Sequence, residues 1–379
     1  MNFVKRFQDG QSGKNKGRTT GISKLDRAIN GIRKFQSYGV AAAPKCGKTT
    51  FVDFAFVISP YLEALANSTI DDIEWIYFSG EIDRISKEFK FAAFFMYFDY
   101  GIMDFKFNGI TYQMDQDYLM GSKLYVKEIK DNVEILDFVP VSPEHNAMLK
   151  EIYLKRIIPL FGEYDEEGNQ IRPGKMKVIE EQDNPTGMYK YLMANAKTHG
   201  HFITEKYHVE NSRGGTEEKE RILSFSDHKP DKMWIIVTDH VRKLVRERGF
   251  TMKENIDKWL EYSTILRNKC GYTFVNICHS NRGISNVDRL RLAGEMIFPT
   301  SDDVKDTGNL AEESTVLMTL FNPGDEKYNL ENHMGVELKQ YPNYRSLHIT
   351  ESRFTECPAH IQLNMFGGIN YFLPLMAAC

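Results

Sequence analysis

The stretch GVAAAPKCGKTTF, Gly39 to Phe51, constrains this chain more than any other part of it. An apolar run (38–43) enters a short turn, and Gly47, Lys48 and Thr49 then open a helix-like segment, Lys48 to Val57. Backbone N–H groups at the start of such a helix converge on one point and form an anion cradle. A lysine adds charge there, and the next hydroxyl suits a magnesium ion. The pattern reads as a phosphate-binding loop for ATP made by Ala43, Pro44, Lys45, Cys46, Gly47, Lys48, Thr49 and Thr50. Ala42 stands where the pattern has its first glycine. At a strand end a small side chain suffices there, provided no positive φ is required. Cys46 reads as a small loop filler rather than a redox switch.

A strand–loop–helix unit of this kind needs parallel neighbours, and the chain supplies them. Apolar runs at 74–79, 233–239, 272–280 and 314–321 alternate with helical stretches such as Lys253 to Asn268. That alternation predicts an α/β fold with a doubly wound, mainly parallel sheet. Two later runs, 345–352 and 360–366, flank a Pro-containing turn and predict an antiparallel hairpin on the sheet edge. Residues 18–379 read as one ATPase core, with a loop-rich insertion at about 101–230 whose exposed loops are 162–175 and 211–221. Residues 1–17 are rich in Gly, Ser, Lys and Asn and read either as a flexible arm or as an arm docking on a neighbouring subunit.

Composition narrows the setting. A formal charge of −4 argues against a chain coated with nucleic acid, but leaves room for a few placed Lys and Arg. The five cysteines show no CxxC pair and no zinc spacing, which favours a reducing, cytoplasmic setting (bacterial or phage-infected) without disulfides. No run approaches about 18 unbroken apolar residues, so no membrane span is expected.

A phosphate loop also needs a carboxylate to hold hydrated magnesium and a group to orient the attacking water. Asp239 ends the run MWIIVTD and suits the first role; Glu81, in IYFSGEIDR, ends another strand and suits the second. Each has a plainer reading, as a turn former and as a helix N-terminal acid respectively.

With these residues in place, the chain resembles the RecA-like core of DnaB-type replicative DNA helicases, the ring-forming superfamily-four group, as a diverged, phage-like member. TTGISKLDRAINGI (19–32) is similar to that family's Thr-Gly-aromatic-x-x-Leu-Asp lead-in, with Ile22 at the aromatic position. VAAAPKCGKTTF resembles its phosphate loop, in which alanine is common at the first position, YFSGEIDR its catalytic-glutamate segment, and IIVTDHVRKL its Walker B strand. NICHSNRG (276–283) resembles the strand that senses the γ-phosphate, with His279 where many members have glutamine. SDDVKDTGNLAEES (301–314) resembles the loop that grips single-stranded DNA: Lys305 replaces its arginine, Asp306 its glutamate, and Thr307 and Gly308 complete the pattern. Lysine keeps the charge but not the bidentate fork. HITESRFTECPAH (348–360) resembles the strand that presents Lys-x-Arg to the next subunit's ATP; Arg353 holds the arginine position and Glu351 the lysine position.

The resemblance implies an ATP- and Mg2+-dependent helicase acting on single-stranded DNA in replication as a homo-oligomeric, hexameric ring. Lys48, Glu81, His279 and Arg353 would be catalytic, Thr49 and Asp239 would hold the metal, and Lys305, Asp306 and Gly308 would contact DNA. It covers roughly 18–100 and 230–370, with a fainter match at 184–200; with only about 17 residues ahead of the core, the family's N-terminal helical or primase domain is expected to be missing. Two other readings stay open: a RecA-like ATPase that loads or recombines without unwinding, and a nucleotide-gated structural module. Arg242, Lys243, Arg246 and Arg248 are either DNA contacts or a solvated face. His199, His201 and His208 lack metal-site spacing, and FKFAAFFMYFDYG (89–101) reads as a buried helix rather than a base-stacking platform.

Overall fold

A computed structural model of the protein describes residues 3–13, 16–122, 124–130, 133–181, 183–210, 215–281, 283–304 and 309–375. Its centre is a nine-stranded sheet. In chain order the strands are β1 (Ser37–Ala42), β2 (Ile73–Ser79), β3 (Met176–Ile179), β4 (Met233–Asp239), β5 (Thr273–His279), β6 (Val316–Phe321), β7 (Tyr344–Ser352), β8 (Ala359–Phe366) and β9 (Tyr371–Pro374). Their spatial order is β9-β8-β7-β6-β1-β5-β4-β2-β3. Six strands, β6 through β3, run parallel. The last three join antiparallel, so the expected C-terminal hairpin is present and carries one further strand.

β1, β4 and β6 are buried along their whole length, which is why they read as unbroken apolar runs rather than alternating ones. Helices cover both faces. α1 (Lys48–Ala66) follows the phosphate loop and carries a π-helical turn at Asp53–Ile58. It is apolar and long enough to pass for a membrane span, but most of it is buried against the sheet. α2 (Arg84–Tyr100) is capped by Asp83, whose carboxylate accepts from Ser86 N at 2.8 Å, and ends at Gly101 with φ +73°. Its Phe91, Phe94 and Phe95 are buried, as the aromatic density predicts, each contributing about 1.5–3 kcal/mol of burial. α3 (Pro185–His199) and α4 (Met252–Cys270) pack together on the other face; Thr251 and Glu254 form a capping box for α4.

The lead-in TTGISKLD has a structural explanation. Asp26 accepts from both the amide and the hydroxyl of Thr20 at 2.7 Å and from the Thr19 hydroxyl, while Gly21 turns between them at φ +75°. Residues Phe3–Gln11 form an α-helix.

The interval 101–230 differs most from its sequence reading. It is largely regular structure. Gly162–Tyr164 and Gln170–Pro173 pair as a hairpin, and Gly200–Glu210 and Thr216–Asp227 form a long one, leaving only 211–215 as its connection. Thr216–Asp227 has no buried residue, so it carries no apolar alternation for a reader to find. The same interval also supplies β3 and α3 to the core, so it is not wholly an elaboration outside the sheet.

Candidate nucleotide site

The site is built where parallel strands end. β1 stops at Ala42, in register with His279 of β5 on one side and Leu320 of β6 on the other. The chain then turns through Lys45 at φ +61° and Gly47 at φ +95° before α1 begins. Alternating turn conformations of this kind aim successive amides inward. The φ of Gly47 favours glycine, and a Cβ there would lie 2.2 Å from Met365 Sδ, so that side chain would have to move aside. Ala42 itself is β-strand, and no positive φ is asked of it. Cys46 is buried, donates through Sγ to Leu320 O at 3.3 Å, and burial pushes its thiol up to about 11. It is inert at neutral pH. Arg345 of β7 donates through Nε to Cys46 O at 3.2 Å and tethers the loop to the antiparallel arm.

Beside the loop, Thr49 Oγ1 donates to Asp239 Oδ1 at 3.2 Å. β4 lies between β5 and β2, and Asp239 pairs in register with Ser79, the last residue of β2. Gly80 N donates to Asp239 O at 2.6 Å, which holds the turn bearing Glu81 next to the β4 end. A side chain at Gly80 would lie 2.8 Å from Lys243 Cβ, so the turn needs its glycine. Glu81 is exposed at this rim, and its charge acts on both Asp239 and His279. Burial raises Asp239 above the usual carboxylate range; the charge of Lys87 opposes that, while Asp53 and Glu81 add to it.

His240, joined to Asp239 by a cis peptide bond, packs its ring 4.1 Å from that of His279. Its Nδ1 accepts from Arg242 N, and burial, His279 and Lys48 lower it to about 2, so it is neutral. Burial and Lys48 lower His279 as well. His240 Nε2 and His279 Nδ1 are buried without a hydrogen-bond partner among the described residues. Thr49 and Asp239 thus present hard oxygen donors at the mouth of an amide cradle, with imidazole nitrogens alongside. This donor set fits a magnesium ion.

Sequence reasoning missed the group behind the site. Asp53, in the first turns of α1, and Lys87 of α2 are both fully buried, with Lys87 Nζ 3.0 Å from Asp53 Oδ1 and 3.2 Å from Oδ2. Lys90 Nζ is 3.7 Å from Asp53 Oδ2 and donates to Thr50 Oγ1 at 3.2 Å. The Tyr77 hydroxyl lies 3.0 Å from Asp53 Oδ1 and 3.4 Å from Asp239 Oδ2. Removing one partner of such a buried pair costs roughly 3–5 kcal/mol. A signal for it does exist: an aspartate inside FVDFAF and two lysines inside KEFKFAAFF are charges embedded in apolar runs.

The structure brings Lys48, Thr49, Asp239, Glu81 and His279 to one edge of the sheet. Arg353 is elsewhere. β7 runs antiparallel to β6, with Leu347 opposite Leu320 at the phosphate-loop end and Ser352 opposite Val316 at the other. Six residues of strand past Leu347 put Arg353 about 20 Å away along the sheet. There it is exposed, and its Nη2 donates to Glu312 O at 3.3 Å. The DNA-loop residues Lys305, Asp306, Thr307 and Gly308 lie outside the described residues. Of the basic run after Asp239, Arg242 and Lys243 form a short 3-10 turn over the site rim, and Arg248 is exposed.

A doubly wound sheet with a phosphate loop after its central strand, a carboxylate at the end of a nearby strand and an antiparallel C-terminal extension defines the RecA-like class of P-loop folds. Within that class, this fold is that of DnaB-type helicase ATPase domains. It is similar to a DnaB-like replicative helicase whose structure was described together with its interactions with primase: TM-score 0.60, 12% identity, 98% of this chain and 67% of the other. It is also similar to a second solved structure, an ATPase domain, with TM-score 0.56, 12% identity, and 98% and 97% of the two chains covered. The sequence itself matches no family model and no curated protein.

Proposed function

We propose that this protein is an ATP hydrolase of the DnaB type that couples hydrolysis to movement along single-stranded DNA, as a helicase in replication. The observation that carries the reading is the convergence of Thr49, Asp239 and Glu81 on the mouth of the phosphate loop. The inward amides of the loop and the Lys48 ammonium bind the β- and γ-phosphates of ATP. Thr49 and Asp239 are the residues that would hold a magnesium ion, which when bound would neutralise phosphate charge. Glu81 orients a water and takes its proton as the oxygen attacks the γ-phosphorus and the bond to the ADP oxygen breaks. His279, between the loop and Asp239, stands where loss of the γ-phosphate changes its surroundings.

Arg353 cannot reach its own phosphate loop, because strand β7 holds it at the opposite rim. Its role in hydrolysis therefore requires a neighbouring copy, and a closed homo-oligomeric ring provides one for every site. In such a ring Lys305 to Gly308 would follow the DNA backbone. The test is DNA-stimulated ATPase activity together with unwinding of a forked duplex, compared with Lys48→Ala. Activity that survives Lys48→Ala overturns the reading.

One observation favours a second reading, a RecA-like ATPase that does not unwind. Glu351, exposed two residues before Arg353, places a negative charge where the resemblance implies a lysine facing the next subunit's phosphates. A protein of this kind hydrolyses ATP on DNA and leaves the fork intact.

A further inference from the structure

We propose that Tyr77, Asp53, Lys87 and Lys90 form a positioning network for the metal-binding pair Thr49 and Asp239, with the Tyr77 hydroxyl as its link to Asp239. The inference rests on the nucleotide-site reading above and goes beyond it to residues that touch neither nucleotide nor metal.

Tyr77, Asp53 and Lys87 are buried together here with Lys90 half-buried beside them, and apolar residues of equal volume would stabilise the fold at least as well. Their arrangement is directed. The Asp239 carboxylate is held at both oxygens: Oδ1 accepts from Thr49, and Oδ2 faces the Tyr77 hydroxyl at 3.4 Å. Holding both oxygens fixes the plane of the carboxylate, and with it the lone pair offered to a metal or its bound water.

Tyr77 has one proton and two carboxylates in reach. The hydroxyl lies nearer Asp53 Oδ1, at 3.0 Å, than Asp239 Oδ2, at 3.4 Å. Asp53 is already supplied by Lys87 at both oxygens and faces Lys90, which leaves the tyrosine proton free to turn to Asp239. Lys90 also donates to Thr50, so the same cluster reaches Asp239 directly and the residue next to Thr49.

The network spans three elements: Asp53 lies on α1, Tyr77 on β2, and Lys87 and Lys90 one turn apart on α2. α2 starts at Arg84, three residues beyond Glu81. Helix α2 therefore sets the metal pair through its lysines and the Glu81 turn through its N-terminus.

The test uses the full chain with Mn2+ as the metal probe and a non-hydrolysable ATP analogue, reading Mn2+ affinity by electron paramagnetic resonance. Tyr77→Phe removes one oxygen and leaves the ring packing in place. We expect it to weaken Mn2+ about 10-fold and lower kcat by a similar factor. Metal-free analogue binding and the KM for ATP should stay within about twofold. Lys87→Met should weaken Mn2+ in the same direction, and Lys87→Arg should restore part of it. Wild-type Mn2+ affinity in Tyr77→Phe overturns the proposal, as does an equal loss of metal-free binding. Asp239→Ala separates the two layers. If it binds Mn2+ like wild type, the site reading itself fails; if it loses Mn2+ while Tyr77→Phe keeps it, only the network fails.

Discussion

Thr49 and Asp239, 190 positions apart in sequence, meet through a 3.2 Å hydrogen bond from hydroxyl to carboxylate. The contact joins the first turn of one helix to the end of a strand two places away in the sheet. Thr49→Ala and Asp239→Asn should each lower ATP hydrolysis by about 100-fold or more, since each removes a group that would hold the charge-neutralising metal ion. Steady-state ATPase measurements with a magnesium titration check this. Thr49→Ser, which keeps the hydroxyl, should retain most activity.

Glu81 reaches the mouth of the phosphate loop from a separate turn, held by the Gly80 amide, and is not part of the loop itself. Glu81→Gln should therefore leave nucleotide affinity within about threefold and cut turnover by roughly 10²–10⁴. Equilibrium binding of a fluorescent ATP analogue beside single-turnover hydrolysis distinguishes this from a binding defect. A parallel loss of affinity would count against Glu81 as the base.

The opposite placement of Arg353 and the phosphate loop makes a prediction about mixtures. Arg353→Ala and Lys48→Ala should each be inactive alone, the former by about 10³-fold. Mixed and allowed to co-assemble, they should regain measurable ATPase activity, because an intact loop can meet an intact arginine across an interface. No recovery at any ratio, with co-assembly verified, would place the function of Arg353 elsewhere.

Acid should destabilise this fold through its buried histidines. His348 Nδ1 is 2.7 Å from His360 Nδ1, and His333 bonds Tyr344 OH and Ile297 O. Burial lowers both His333 and His348 below the ordinary value, His348 strongly. A histidine depressed in the folded state binds its proton more readily when unfolded, so stability rises with pH in that window. It is therefore fully present above about pH 6.5 and is lost progressively as pH falls below it, the more strongly lowered His348 contributing over the wider range. Melting temperatures from pH 7.5 to 5.0 should show this slope, and His348→Gln should flatten it.

Most of the site is legible in the sequence because parallel strands buried on both faces leave long apolar runs, and their polar ends are conspicuous. MWIIVTD and YGVAAA mark Asp239 and the phosphate loop in that way. β3 and β9 are not legible, since four-residue strands at a sheet edge are too short to carry a period. The long hairpin Gly200–Asp227 escapes for a different reason: apart from its base, where Phe202 and Phe225 pack on the core, it is largely exposed, which removes the alternation that marks a half-buried strand. Tyr77, Asp53 and Lys87 pass for core because their partners lie on three separate elements, and only tertiary packing makes them one group.

Strand β7 carries one further consequence. Arg345 near its start grips the carbonyl of Cys46 in the phosphate loop, and Arg353 just past its end emerges at the far rim. Eight residues of extended backbone, roughly 26 Å, separate them, clamped by β6 on one side and, over most of that length, by β8 on the other. Such a segment resists stretching and compression like a strut. A load applied to one guanidinium reaches the other through a paired strand whose one irregularity is the bulge at Thr350, so whatever leans on Arg353 is in mechanical series with the Cys46 turn.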